Sequence, residues 1–140
     1  MPGFADVVGN LPPLPELILW RDPVARSAAE AMAVDEALLE WGEFPVLRIY
    51  RWGEPAVTFG YFDEEGTARR IFPGEELHFV RRWTGGGIVD HRQDIPFTLA
   101  MHRRDGQGRP SSATLYRWIH GALARVLKDC GCLLYTSPSP

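Results

Sequence analysis

The stretch "RRWTGGGIVDH", Arg81 to His91, sets three consecutive glycines behind two arginines and a threonine, with a β-branched pair directly after. Three glycines in a row cost backbone entropy on folding. A chain that keeps them needs positive φ, or needs something to approach the main chain closely. Two readings follow. In the plain one the glycines turn one strand into the next. In the other, successive N–H groups form a nest for a phosphate or carboxylate, which the missing Cβ atoms allow to come close. Strand neighbours point to opposite faces, so one of Arg81 and Arg82 would face the nest while the other braces the sheet or binds an acid. Thr84 can orient the loop. No Lys-Ser/Thr pair follows, which excludes a Walker loop, and the glycine spacing excludes a dinucleotide fingerprint.

Outward from the glycines, "LHFVRRWT" (77–84) and "IVDHRQDIPFTLAMH" (88–102) read as strands, which makes 77–102 a hairpin-like unit with the glycines at a concave edge. Upstream, "VLRIYRW" (46–52) and "AVTFGYF" (56–62) alternate and are joined by "GEP", the pattern of a hairpin. "ELILWRD" (16–22) reads as a strand and "DEEGTARRIF" (63–72) as a short helix. The clearest helix covers about 27–41. Ser27 and Glu30 make a capping box and Gly42 stands at C′. Val34, Leu38 and Trp41 share its inner face, with Ala31, Met32 and Ala37 close by, whereas Asp35 and Glu36 read as a solvated face. A second amphipathic helix, capped by Ser111 or Ser112, runs to about Lys128 with Leu115, Trp118, Ile119, Ala122 and Val126 inside. Residues 1–15 read as an irregular lead-in and 103–110 as a loop. The tail "CLLYTSPSP" (132–140) has no capping logic and resembles translated adapter sequence, so it reads as non-native.

The chain has 140 residues, enough for one domain, and the order of elements gives an α+β class with a mixed, largely antiparallel sheet and helices packed on it. A net charge of −3 argues against a general nucleic-acid binder. The cations are 14 arginines and the single Lys128, which favours planar anions over amine chemistry. No stretch is apolar enough to cross a membrane and the start lacks an apolar leader, so the expected location is cytoplasmic. Cys130 and Cys132, one glycine apart, imply neither a disulfide framework nor a zinc site.

With these elements in order, "RRWTGGGIVDH" resembles the signature of the lipoate–protein ligase and octanoyltransferase family. "SAAEAMAVDEALLE" is similar to that family's first helix, "LRIYRWGEPAVTFGYF" to its next two strands, and "DIPFTLAM" to the strand after the signature. The resemblance covers about 17–129. It implies the catalytic domain shared by biotin and lipoate ligases, of which residues 16–131 would be the N-terminal part. It also implies an activity: lipoate and ATP, with Mg2+, give lipoyl-adenylate, and the acyl group passes to a lysine of a lipoyl carrier domain. The carriers would be those of 2-oxoacid dehydrogenases or the glycine-cleavage carrier protein. The alternatives are an octanoyltransferase, which moves the acyl chain between carriers through an enzyme thioester, and a non-catalytic binding module of the same fold.

Carried over by residue, Arg82 is the arginine on phosphate or acyl carboxylate, and Gly85, Gly86, Gly87, Ile88, Val89 and Asp90 are the backbone segment along the nucleotide. Arg81, Thr84 and His91 support them. Gly60, Tyr61 and Trp83 fall where the family lines its acyl pocket. Asp90 stands where an aromatic is usual, so it must pair with an arginine or hold a metal. The family's essential lysine lies on a later strand, so this chain is expected to be a fragment without turnover of its own. Lys128 at a helix end suits the dipole instead, and Cys130 and Cys132 lack the cleft and base of a nucleophile.

Overall fold

A computed structural model describes residues 16–73, 76–101 and 111–132. The lead-in, the 103–110 loop and nearly all of the tail lie outside the described residues. The chain divides into two compact units, residues 14–102 and a second formed by 1–13 with 103–140. In the second, helix α3 (Ser112–Asp129) is capped by the Ser111 side chain, which accepts from Thr114 N–H.

The first unit carries the order β1 (Ile18–Arg26), α1 (Ala28–Trp41), β2 (Val46–Trp52), β3 (Ala56–Phe59), α2 (Glu65–Ile71), β4 (His78–Arg81), β5 (Ile88–Asp90) and β6 (Phe97–Ala100). Its strands form two three-stranded sheets, β1-β2-β6 and β4-β3-β5. Each has one parallel and one antiparallel pair: β2 runs parallel to β1 and antiparallel to β6, and β3 parallel to β4 and antiparallel to β5. The class is α+β and mixed, as expected.

The pairing differs from the expected hairpins. β2 and β3 do not pair; the "GEP" connection carries the chain from one sheet to the other. Likewise β4 and β5 flank β3 on opposite sides, so 77–102 is not a hairpin. A three-residue turn signal reports only a change of direction, and strand partners far along the chain outcompeted it. The expected strand over 88–102 is also broken. His91–Pro96 is irregular, and Pro96 offers no N–H to a ladder.

α1 starts as its sequence dictates. Ser27 accepts from Glu30 N–H and Glu30 accepts from Ser27 N–H, while Glu54 accepts from Ala28 N–H at 2.7 Å. At the other end Gly42 has φ −67°, extended backbone rather than the left-handed C′ expected. The helix is turned from its expected face as well. Ala28, Ala31 and Met32 are its buried residues, Val34 and Leu38 are half-buried, and Trp41 is 74% exposed. The small alanines allow α1 close to β2, where Ala31, Met32 and Tyr50 form one core cluster. A separate cluster of Val57, Phe59 and Ala68 joins β3 to α2, with Phe72, Leu77, Phe79 and Ile88 packed round it.

Candidate functional site

The glycine loop, 82–87, crosses over the C-terminal end of β3, and this explains its composition. Gly60 N–H donates to Gly87 O and Tyr61 N–H to Gly85 O, both at 3.1 Å. A Cβ on Gly60 would stand 2.4 Å from Gly86 Cα and 2.5 Å from Gly85 O, so the crossing requires a bare Gly60. Gly85 and Gly87 take φ of 69° and 86°, which side chains rarely adopt. Gly86 is different: a Cβ there would meet only Asp63 Oδ2, at 4.0 Å. Both reasons proposed for a glycine run, positive φ and close approach, therefore operate here, at different residues.

Both arginines brace this crossing. Arg81 Nη1 donates to the carbonyls of Tyr61 and Asp63 at 2.6 and 2.7 Å. Arg82 Nη2 donates to Gly86 O and Gly87 O at 3.0 and 2.9 Å, and its Nη1 donates to Thr58 Oγ1 at 2.6 Å. From Thr58 a relay continues. His91 Nε2 lies 2.7 Å from Thr58 Oγ1, and His91 Nδ1 lies 2.6 Å from Asp94 Oδ2. A neutral imidazole carrying its proton on Nδ1 satisfies every partner: Arg82 donates to Thr58, Thr58 to His91, and His91 to Asp94. The His91 ring stacks on Trp52 at 4.7 Å between centroids.

The residues of this relay line a cavity of about 380 Å³. Met32, Leu39, Trp52, Ile95, Phe97 and Leu99 give it apolar walls, while Arg82, Thr84, His91, Asp94, Asp35 and Thr98 supply polar groups. Trp83 lines the cavity, and Tyr61 stands 6.4 Å from its ring. Gly60 and Tyr61 are not among the lining residues; they hold the glycine loop from beneath. Gly85, Gly86, Gly87, Ile88, Val89 and Asp90 likewise lie behind the lining, with Ile88 and Val89 paired to β3. Asp90 pairs with an arginine, the first of its two expected fates: Arg92 Nη2 donates to Asp90 Oδ2 at 2.7 Å. That hydrogen bonding holds the Asp90 carboxyl below the usual carboxylate range.

Asp35 is not on a solvated face. Its Oδ1 accepts from Arg48 Nη1 and its Oδ2 from Thr98 Oγ1, each at 2.7 Å. Arg48 is fully buried, is held also by Asp22 at 2.8 Å, and lies over the Tyr50 ring at 4.0 Å. The two carboxyls on this one guanidinium shift in opposite directions. Burial pushes Asp35 up and outweighs its hydrogen bonds. Burial also acts on Asp22, but hydrogen bonds from Arg26 and Arg48 outweigh it and hold Asp22 below the usual range.

Sequence reasoning thus found Arg82, Trp83, Thr84 and His91 at the cavity and missed Thr58, Asp94 and Asp35. Asp94, three residues after His91, carried a local signal. Thr58 in the apolar run "AVTF" carried a weaker one. Asp35 carried none until β2 placed Arg48 opposite it.

Comparison with known proteins gives a consistent answer. Residues 27–138 match the family described as "Lipoyl protein ligase A/B catalytic domain". The chain is 31% identical over 124 residues to "Octanoyltransferase LipM" of Halalkalibacterium halodurans, covering 83% of this chain and 45% of that protein. To the protein of the same name from Oceanobacillus iheyensis it is 37% identical over 113 residues, covering 76% and 41%. To that of Bacillus subtilis it is 30% identical over 127 residues, covering 83% and 45%. The chain therefore spans under half the length of these relatives. Among the described residues no helix is long and apolar enough to cross a membrane.

Proposed function

The chain belongs to the lipoyl protein ligase A/B catalytic-domain family, a family of enzymes, and on that premise we propose that it forms the acyl-binding part of an octanoyltransferase. The observation that carries this reading is the cavity: mostly apolar in its lining, with Arg82 and a few other polar groups among it, and within the roughly 300–1,000 Å³ of ordinary small-molecule sites. A medium-length acyl chain lies along Met32, Leu39, Phe97 and Leu99. Its carbonyl lies at the Arg82 end, beneath Trp83. The relatives named octanoyltransferase support this over ATP-dependent activation of lipoate, so the ligase reading with ATP and Mg2+ becomes the second one.

In such a reaction an enzyme thiolate attacks the carbonyl of an acyl thioester and the carrier's thiolate leaves. An acceptor amine on a lipoyl carrier domain then takes the acyl group and releases the enzyme thiol. Charge develops on the carbonyl oxygen in each step. Fixed donors stabilise that charge only if they do not reorganise as it forms. Here the Asp94–His91–Thr58 relay positions Arg82, and Arg82 with Gly60 positions the glycine segment from Gly85 through Asp90. Arg81 and Thr84 support the same loop. Cys130 and Cys132 are exposed on the helix-end segment of the second unit and are not assigned the thiol's role.

Two measurements test the reading. Octanoyl transfer from a carrier thioester to a lipoyl domain is followed by the mass of the acceptor, with ATP withheld; an absolute requirement for ATP would move the assignment to ligase. Independently, octanoyl-thioester binding to this chain is read by tryptophan fluorescence, since Trp52 and Trp83 line the cavity. Arg82→Ala is expected to weaken binding about 10–100-fold, the scale of a lost charge-assisted contact. Unchanged affinity would remove Arg82 from the site.

A further inference from the structure

The glycine loop already holds an anion, and it is the chain's own. Asp63 Oδ2 accepts from Gly60 N–H at 3.0 Å and from Gly87 N–H at 2.6 Å. The carboxylate is delivered there by a tight turn, in which Asp63 N–H donates to Gly60 O at 3.1 Å. Arg81 locks that turn through the carbonyls of Tyr61 and Asp63. Arg82 is directed at the loop's carbonyls and Thr58. The amides that a phosphate would use at this crossing are therefore aimed at an internal carboxylate oxygen.

We propose that Asp63 is a specificity-determining residue that closes the Gly60–Gly87 nest against phosphate, and so restricts the adjoining cavity to neutral acyl thioesters rather than acyl-adenylates. The proposal rests on the acyl-transfer reading above and names its substrate class. A phosphate entering the loop must displace Asp63 from both amides and then lie beside the displaced negative charge. Like charges in contact repel even at this exposed loop, where water weakens the repulsion without abolishing it. A thioester carries no charge and makes no demand on these two amides.

The experiment is calorimetric titration of the 140-residue chain with ATP and, separately, with inorganic pyrophosphate. It compares the wild type with Asp63→Ala and Asp63→Asn. The wild type is expected to give no saturable binding at millimolar ligand. Asp63→Ala frees Gly87 N–H, leaves Gly60 N–H on Gly87 O alone and removes the charge, and is expected to gain at least about tenfold in affinity for both ligands. Asp63→Asn keeps an acceptor but loses the charge, and is expected to gain less. Micromolar binding by the wild type would overturn the proposal, as would a folded Asp63→Ala that binds no better than wild type. If the alanine variant fails to fold, absence of any gain in Asp63→Asn overturns it instead. Octanoyl-thioester binding is measured apart from this titration. Octanoyl-thioester binding combined with tight ATP binding would sink this inference alone, whereas a gain in Asp63→Ala without octanoyl-thioester binding would sink the acyl reading alone.

Discussion

The two sheets of residues 14–102 are held by opposite means. Under β1-β2-β6 the largest fully buried side chain is a cation, Arg48, clamped by Asp22 and Asp35 and faced by Tyr50 and Trp20. Under β4-β3-β5 the core is apolar, and Arg81, Arg82 and Asp63 stand outside it at the glycine crossing. The difference separates two tasks. Apolar packing sets a distance but tolerates sliding. A guanidinium with fixed forks sets an orientation, and here it fixes α1 and β6 relative to β2 through Asp35, Ala31 O and Thr98. Those are the elements that bring Met32, Leu39, Phe97 and Leu99 to the cavity.

The largest effect is expected from removing the charge that orients the first sheet. Arg48→Met removes the guanidinium the two carboxylates share, leaving Asp22 with Arg26 and Asp35 with Thr98, and is expected to cost about 3–5 kcal/mol in urea unfolding. The triple variant Asp22→Leu, Asp35→Leu, Arg48→Met is expected to recover most of that stability. If the single variant costs under about 1 kcal/mol, the first sheet does not depend on its charges. The next effect belongs to the second sheet. Gly60→Ala forces a Cβ against the Gly86 backbone and is expected to cost about 1–3 kcal/mol. Gly86→Ala, with open space, is expected to stay within about 0.5 kcal/mol. Equal costs would show that the loop does not sit on β3.

The smallest effect sharpens the contrast between the two carboxyls of Arg48. Asp22 has a folded pKa below its ordinary value of 3.8, so the folded form binds fewer protons. Its contribution is present above 3.8 and is lost as pH falls through the folded pKa. Asp35 has a folded pKa above 3.8, so stability declines as pH rises from 3.8 through that folded value. Stability profiles of Asp22→Asn and Asp35→Asn, each subtracted from wild type, are therefore expected to slope in opposite senses in acid. Parallel slopes would mean that the two acids share one environment.

What was legible in the sequence follows the range of the interactions. The start of α1 was legible because Ser27 and Glu30 cap it within one turn, and α3 followed from an equally local cap, whereas α2 starts without a side-chain cap. Strand identities were legible from alternation. Strand partners were not, because β2 meets β1 across α1 and meets β6 far downstream, and no residue in "VLRIYRW" encodes that choice. The same limit hid the first sheet's core. Asp35 looks solvated until Arg48 is known to face it. In the signature, resemblance and glycine chemistry located the loop, while Asp63, the residue that fills it, lay outside the motif and carried no signal of its own.

The crossing of 82–87 over β3 also bears on the order of folding. Gly60 and Gly86 come into contact only where the loop passes the end of a strand that already lies in place. Until β3 pairs with β4 or β5 there is nothing for the loop to cross, so the crossing is expected to form late in folding. Interactions that form after the barrier govern the rate of unfolding and leave the rate of folding nearly unchanged. Gly60→Ala is therefore expected to speed unfolding more than it slows folding, at a residue that contributes no side chain at all.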